Sequence, residues 1–342
     1  MTASVYDLLV AGGGPIGLAT ALYAERAGLS AAVAEPRRHP VDKACGEGLM
    51  PGAVAALREL RVQPTGRPFV GIRYTDGRHS ATARFAAGAG LGVRRTTLQS
   101  CLASAVADRK IPVITEAVDD VVQDALGVRC GQLAARYLAA ADGLHSPVRR
   151  LLGLDVTAAE PARFGLRRHF AVGAWSEYVE VHWAPDIEAY VTPVDDGLVG
   201  VALLTSRREP FEAQLERFPA LCDRLPAGAV TSTRGAGPLR QRSSARVCGR
   251  VLLVGDAAGY VDALTGAGIA VGMASARALV DAVGADDPAS YERSWSRVSR
   301  RYRWLTESLL WARNRTLTQQ LIVPGAERLP RVFAAAVNQL AR

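Results

Sequence analysis

The sequence predicts an α/β protein: a parallel sheet flanked by helices, an antiparallel sheet inserted into it, and helices at the C-terminal end. Three observations lead there. Residues Tyr6 to Arg37 read as strand, glycine-rich turn, helix and second strand. Between about Arg163 and Thr205 the pattern changes to short, closely spaced alternating segments parted by Gly, Pro and Asp, as antiparallel strands require. From Arg250 to Gly259, RVLLVGDAAG, an uninterrupted apolar run returns ahead of a small-residue helix, as in a buried parallel strand.

The first element carries the sharpest signal. Leu8 to Ala11 lead into Gly12, Gly14 and Gly17, with Pro15 and Ile16 between the last two. In this spacing the first glycine makes the turn, the second lets backbone approach a pyrophosphate, and the third lets helix and strand pack closely. The pyrophosphate would sit on the free N–H groups of the helix start. Ala31 to Ala34 end at Glu35, where a carboxylate can accept both hydroxyls of a ribose, and Pro36 and Arg37 follow, Arg37 placed to cover an adenine. A plain βαβ unit with a glycine turn is the alternative, but it would not need Glu35. The expectation is a Rossmann-like dinucleotide domain.

Further along, Pro51 starts a helix to about Leu60. Val70 to Phe85 alternate about Asp76-Gly77 as a β-hairpin. Val93 to Lys110 form a helix with Thr96 or Thr97 as N-cap, and Ile111 to Thr115 a buried strand rejoining the parallel sheet. Val118 to Val122 and Leu126 to Cys130 read as a small hairpin, Tyr137 to Ala141 as a strand, Phe211 to Phe218 as a helix, and Gly268 to Val283 as a long one. In the last helix Val332, Phe333, Ala336, Val337 and Leu340 are expected on one apolar face. The nucleotide domain is therefore discontinuous: 1–65, 93–160 and 240–285, with a substrate domain of 66–92 and 161–239 and C-terminal helices over 286–342.

With 49% hydrophobic and 22% charged residues in 342, a globular protein is expected and disorder is not. Five scattered cysteines without a C-x-x-C pair argue for a reducing compartment and against a disulfide scaffold or zinc site, and no basic leader precedes the first strand, so a cytoplasmic location is expected. From Ser290 to Arg342, ten arginines face three glutamates, nearly the whole net charge of +8. No nucleic-acid motif accompanies them. Arginines interleaved with Trp304 and Trp311 would suit an anionic membrane surface only if both rings were exposed together; a cover helix with solvated arginines is the expected alternative.

Two further motifs bring in a resemblance. Ala141 to Arg150, ADGLHSPVRR, with Asp142, Gly143, Ser146 and Arg149, resembles the D-G-x-x-S-x-x-R motif of FAD-dependent monooxygenases, and Gly255-Asp256 resembles their G-D motif. The Asp256 to Gly272 loop and Lys43 to Leu49, KACGEGL, are closer to geranylgeranyl reductases, with Ala263 where Pro is usual and Ala267 where Glu is usual. The resemblance implies FAD, contacted by Asp256 at the ribityl chain, by Lys43, Cys45, Gly46, Arg95 and Val118, and at the flavin by Gly266, Ala267, Gly268 and Ile269. For Lys43 and Arg95 a salt-bridged surface role is the alternative. Halogenases of this group carry Trp-x-Trp-x-Ile-Pro, and the matching stretch, Glu188 to Pro193, has neither Trp.

The family's hydroxylases use NAD(P)H and O₂ through a flavin hydroperoxide, so the resemblance implies first a monooxygenase of a hydrophobic, aromatic or polyketide-like small molecule. A geranylgeranyl reductase-like reduction of carbon–carbon double bonds is the second reading, and a non-catalytic flavin-binding protein the third. NADH or NADPH, or a separate reductase, would supply electrons. Cys45, Glu47 and Tyr190 are the catalytic candidates, with His169 and Trp183 as further residues that would face the substrate; core or surface roles are the alternative for each.

Overall fold

The computed structural model describes residues 5–157 and 162–342, so the expected domain boundary at 160/161 lies outside the described residues. The first unit is β1 (Val5–Ala11), α1 (Pro15–Arg26) and β2 (Ala31–Ala34). β1 is central: β2 lies parallel on one side and Leu133–Ala140 parallel on the other. Val251–Leu253 extends the sheet beyond Leu133–Ala140, and Val113–Ile114 extends it beyond β2. These strands are apolar on both faces because helices cover both. Leu8, Leu9, Val10, Ala32, Val33, Leu138 and Leu252 are fully buried in one core with Leu18, Leu22 and Leu279 of the covering helices.

Register decides where a site can form. Ala11 pairs with Ala34 and with Ala140, and Ala140 pairs with Leu253, so four parallel strands end side by side. The residues that leave those ends are Gly12, Glu35, Asp142 and Gly255, around the crevice where open α/β sheets bind ligands. Gly17 sets the depth of α1 on β1: a Cβ there would lie 1.8 Å from the Gly12 carbonyl oxygen.

The second sheet has seven strands in the order Arg234–Ala236, Phe164–Phe170, Leu198–Thr205, Ile187–Asp195, Val179–Ala184, Gly71–Thr75 and Ser80–Arg84. The early hairpin thus joins the inserted strands, through a parallel pairing of Gly71–Thr75 with Val179–Ala184. A three-stranded sheet of Gly48–Leu49, Gly90–Gly92 and Arg67–Phe69 connects the layers. The chain closes with helices Pro288–Arg313, Thr316–Gln319, Ile322–Arg328 and Pro330–Leu340.

Four local expectations are corrected. Val113–Ile114 is an edge strand with Val113 exposed, not a buried one, because nothing pairs beyond it among the described residues. The helix expected to be capped by Thr96 or Thr97 starts at Arg95, and its first N–H is taken by the carboxylate of Glu47, 2.9 Å away, in place of a local cap. The stretch Phe211 to Phe218 splits into Phe211–Leu215 and Pro219–Cys222, the second opened by its proline. In the last helix Phe333 and Val337 are buried but Val332 points outward, one position round the helix from the seam.

The seam between hairpin and inserted sheet holds a buried charge. Arg73 and Glu180 are partners in the parallel register, with Nη1 3.3 Å from Oε1, and the indole N–H of Trp175 donates to Glu180 Oε2 at 3.0 Å. Burial by itself would raise the Glu180 carboxyl, but the His182 and Trp175 hydrogen bonds and the Arg73 charge hold it down at about 2. A carboxylate depressed on folding stabilises the protein above its ordinary value of 4.5, and that contribution is lost as pH falls from 4.5 towards about 2. Glu180→Gln should therefore lower stability at neutral pH and flatten its decline across that acid window. Denaturant melts of both proteins over the window check this, and parallel declines would refute it.

Candidate functional site

Beyond the aligned strand ends lies a cavity of about 1040 Å³. Its near end is lined by Gly12, Gly14, Pro15, Ile16, Glu35, Pro36, Arg37, Lys43, Cys45, Gly46, Arg95, Val118, Asp142, Gly143, Gly255, Asp256, Gly266, Gly268 and Ile269. Two of the expected residues stand back from it: Gly17 at the helix–strand contact, and Ala267, buried as the N-cap of helix Gly268–Gly284.

The turn has the geometry its glycines allow. Gly12 has φ +104°, and a Cβ there would meet the Ala141 carbonyl oxygen at 2.6 Å. Gly14, at the N-cap of α1, is open: the nearest atom to an added Cβ is Nη2 of Arg95, 3.9 Å away. The helix start, Lys43 and Arg95 thus present N–H groups and two cations to one small volume, and neither cation has a carboxylate within ion-pair distance among the described residues. Lys43 has its pKa lowered, first by desolvation and then by the charges of Arg37 and Arg95. The salt-bridged surface role is not what the structure shows for either residue.

Glu35 is buried under the turn. Its Oε2 accepts the Gly13 N–H at 2.9 Å, and Arg37 binds both oxygens, Nε to Oε1 at 2.7 Å and Nη2 to Oε2 at 2.9 Å. Burial would raise this carboxyl, but the Arg37 and Gly13 hydrogen bonds outweigh it and the pKa lies below the ordinary value. A ribose accepted here would replace the Arg37 bonds and leave the one from Gly13.

Asp142 caps the short helix Pro147–Leu151 through Oδ2 to the Val148 N–H, 3.0 Å, while its buried Oδ1 has no hydrogen-bond partner among the described residues. Asp256 faces the cavity from the Gly255–Ala258 turn, and desolvation raises its pKa against the pull of Arg95 and Lys43. Arg149 ties these two aspartate loops together from beneath: Nη1 donates to the Ala257 carbonyl at 3.0 Å, Nη2 to the Leu144 carbonyl at 3.0 Å, and Nε pairs with Asp155 at 2.6 Å. The structure makes Arg149 a brace.

The catalytic candidates separate. Cys45, Glu47 and Tyr190 all line the cavity, and the Tyr190 hydroxyl donates to the Leu264 carbonyl at 2.8 Å. Burial raises the thiol of Cys45 and the phenol of Tyr190, so both stay neutral. Glu47, with φ +58°, is already engaged: besides capping the helix at Arg95, its Oε2 lies 2.6 Å from Nε2 of His169. His169 is fully buried among Glu47, Arg167 and Thr231 and does not face the cavity, and Trp183 is core, its ring 5.2 Å from that of Tyr74. Sequence reasoning missed Arg167, buried between His169 and Asp42, and the apolar far end of the cavity, where Phe69, Ile72, Tyr74, Leu264, Val337 and Leu340 meet. Strand alternation was the available signal for Arg167, since it shares a face with His169.

The residues fit a flavin dinucleotide: a turn open at Gly14, two unpaired cations, a helix start, and an aspartate oxygen without a partner. Comparison with known proteins agrees. No family model matches the chain. It is 28% identical over 334 residues to a menaquinone reductase of Mycolicibacterium smegmatis, covering 84% of this chain and 79% of that protein. It is 28% identical to a digeranylgeranylglycerophospholipid reductase of Methanothrix thermoacetophila, with 84% and 82% covered, and 28% identical to protoasukamycin 4-monooxygenase of Streptomyces nodosus, with 89% and 86% covered. The chain is related to the FAD-dependent monooxygenase and geranylgeranyl reductase-like flavoproteins. Solved structures share the fold: a flavoprotein/dehydrogenase from Cytophaga hutchinsonii superposes with TM-score 0.83 at 17% identity, covering 97% of this chain and 92% of that one. A geranylgeranyl bacteriochlorophyll reductase-like protein from Thermoplasma acidophilum gives 0.77 at 21%, covering 99% and 96%. The relatives are named reductases and a monooxygenase, so the class is FAD-dependent oxidoreductase.

In such a flavoprotein Gly14→Asp, which sets a carboxylate where the pyrophosphate would lie, and Asp256→Ala should each weaken FAD uptake about ten- to a hundredfold, the loss expected for one charge-assisted contact of roughly 1.5–3 kcal/mol. Titration followed by flavin fluorescence checks this. Unchanged affinity in both variants would overturn the site.

Proposed function

We propose that this oxidoreductase acts on a hydrophobic small molecule and reduces a carbon–carbon double bond in it. The observation that carries the reading is the apolar part of the cavity: beyond the nucleotide motifs Phe69, Ile72, Tyr74, Leu264, Val337 and Leu340 contribute aliphatic and aromatic side chains to its wall, and the neutral Cys45 and Tyr190 line the same cavity. An apolar chamber of this kind selects by shape and buried area. The relatives named as reductases of menaquinone and of digeranylgeranylglycerophospholipid support a long apolar substrate.

FAD, when bound, supplies two-electron transfer. Gly14, Lys43, Arg95 and the start of α1 would hold its pyrophosphate, Glu35 a ribose, and Asp256 the ribityl chain. The start of helix Gly268–Gly284 turns the N–H groups of Gly268 and Ile269 towards the cavity, where they would favour negative charge on a bound flavin. Cys45 carries a protonated Sγ in the cavity wall and would supply the proton that completes reduction, its thiolate then taking a proton from solvent, with two-electron chemistry the part FAD would supply when bound. Tyr190, fixed by Leu264, orients the substrate. Electrons reach the cofactor from NADH or NADPH, or from a separate reductase. The five cysteines, all unpaired, support a reducing cytoplasmic setting.

Hydroxylation with O₂ is the second reading, supported by the likeness to protoasukamycin 4-monooxygenase, which spans 89% of the chain. Oxygen separates the two. Product formed equally well without air, heavier by two hydrogens and free of label from ¹⁸O₂, is expected; an air-dependent product carrying one labelled oxygen would establish the second reading instead. Cys45→Ala should lower turnover about a hundredfold, as for loss of a general acid, with FAD content unchanged. Unaltered turnover would remove Cys45 from the reaction.

A further inference from the structure

We propose that the C-terminal helices form a docking surface for an anionic lipid bilayer. Among the described residues, half of the exposed large hydrophobic side chains lie between residues 304 and 332. Trp304 is 66% exposed, Trp311 56%, Leu317 84% and Leu321 58%. Trp304 and Trp311 stand two turns apart on helix Pro288–Arg313 and so share one outward face. The opposite face is packed: Tyr291, Trp295, Ser299, Tyr302, Thr306 and Leu310 are buried. The outward tryptophans are therefore not the ordinary inner stripe of a cover helix, and together they satisfy the condition for a membrane surface.

Charge identifies the partner. Arg297, Arg300 and Arg301 are exposed on the same helix, and Arg315 lies over the Trp311 ring with its carbon 4.0 Å from the centroid. None of these four has a carboxylate within ion-pair distance among the described residues, whereas inward arginines are paired, Arg313 with Glu188 and Arg246 with Glu292. Unneutralised arginines beside exposed tryptophans and leucines match the two layers of a bilayer surface, anionic headgroups outside and acyl chains just beneath. No helix of the described residues is long and apolar enough to cross a membrane, so the contact is interfacial. The same helices wall the cavity from the other side, through Val337 and Leu340. A substrate dissolved in the bilayer would then have a short, apolar route to the site.

The surface stands independently of which reaction the flavin site performs, so its failure would leave that reading intact. The experiment uses the full chain with vesicles of phosphatidylcholine alone and of phosphatidylcholine mixed with phosphatidylglycerol. Co-sedimentation with the mixed vesicles at low salt is expected, with a blue shift in tryptophan emission. Binding should fall at least about tenfold at high salt, where exposed charges are screened. Trp304→Ser with Trp311→Ser, and separately Arg297→Gln with Arg300→Gln and Arg301→Gln, should each reduce it by a similar factor while FAD content is retained. No sedimentation at low salt, or equal sedimentation on both vesicle types, overturns the proposal. So does a concentration-dependent dimer that the tryptophan variant abolishes, which would make this face a contact between copies.

Discussion

The close approach of α1 to β1 is the constraint on which the site depends. With no side chain at Gly17, the helix axis drops until it nearly touches the Gly12 carbonyl, and the helix start comes level with the four strand ends. Any Cβ at Gly17 would lift the helix and move its N–H groups away from Lys43, Arg95 and Asp256. The positive φ of Gly12 serves the same end, letting the turn pass under Ala141 without a clash. Charge then collects around that fixed point. Desolvated carboxylates and cations face each other across the cavity instead of being scattered on the surface.

A second set of contacts fixes the two sheets relative to one another. Glu47 caps the helix that begins at Arg95 and pairs with His169 of the inserted sheet, and Arg167 joins that pair to Asp42. Glu47, His169 and Arg167 are buried, so removing one would leave the others unpaired at high cost. The loop from Asp42 to Glu47, which carries Lys43 and Cys45, is held from both layers and cannot shift with one alone. Arg149 does the equivalent beneath the Asp142 and Asp256 turns.

What the sequence disclosed follows from what local chemistry determines. Gly12, Gly14 and Gly17 are legible because backbone geometry leaves no other residue for those places, and the long apolar runs are legible because strands buried on both faces need them. The cap on the helix at Arg95 was not legible: its acceptor, Glu47, lies far away in the chain, so threonines nearby were the natural guess. For the same reason the pair of buried Arg167 with half-buried Asp42 carried no local mark. Val332 misled because an apolar residue one step off the seam looks, in a short helix, like part of it. At Trp304 and Trp311 the sequence did not say whether the rings lie on the packed or the outward face, and the structure places both outward.

The order of strands in the parallel sheet bears on how the protein acquires its cofactor site. β1 sits in the middle, and its neighbour Leu133–Ala140 must wait for Val251–Leu253, which comes last in the chain and brings Gly255 and Asp256 with it. Between them five of the seven strands of the second sheet must be threaded out and back. Contacts of such long sequence separation form late and slowly, since loop closure is costly before they reward it. During synthesis the first strands therefore emerge with one flank uncovered, and the crevice at the strand ends is completed only when Val251–Leu253 arrives. A ligand that bridges the early turn at Gly12 and the late turn at Gly255 would then act as a clasp on the finished topology, binding no partial form of it.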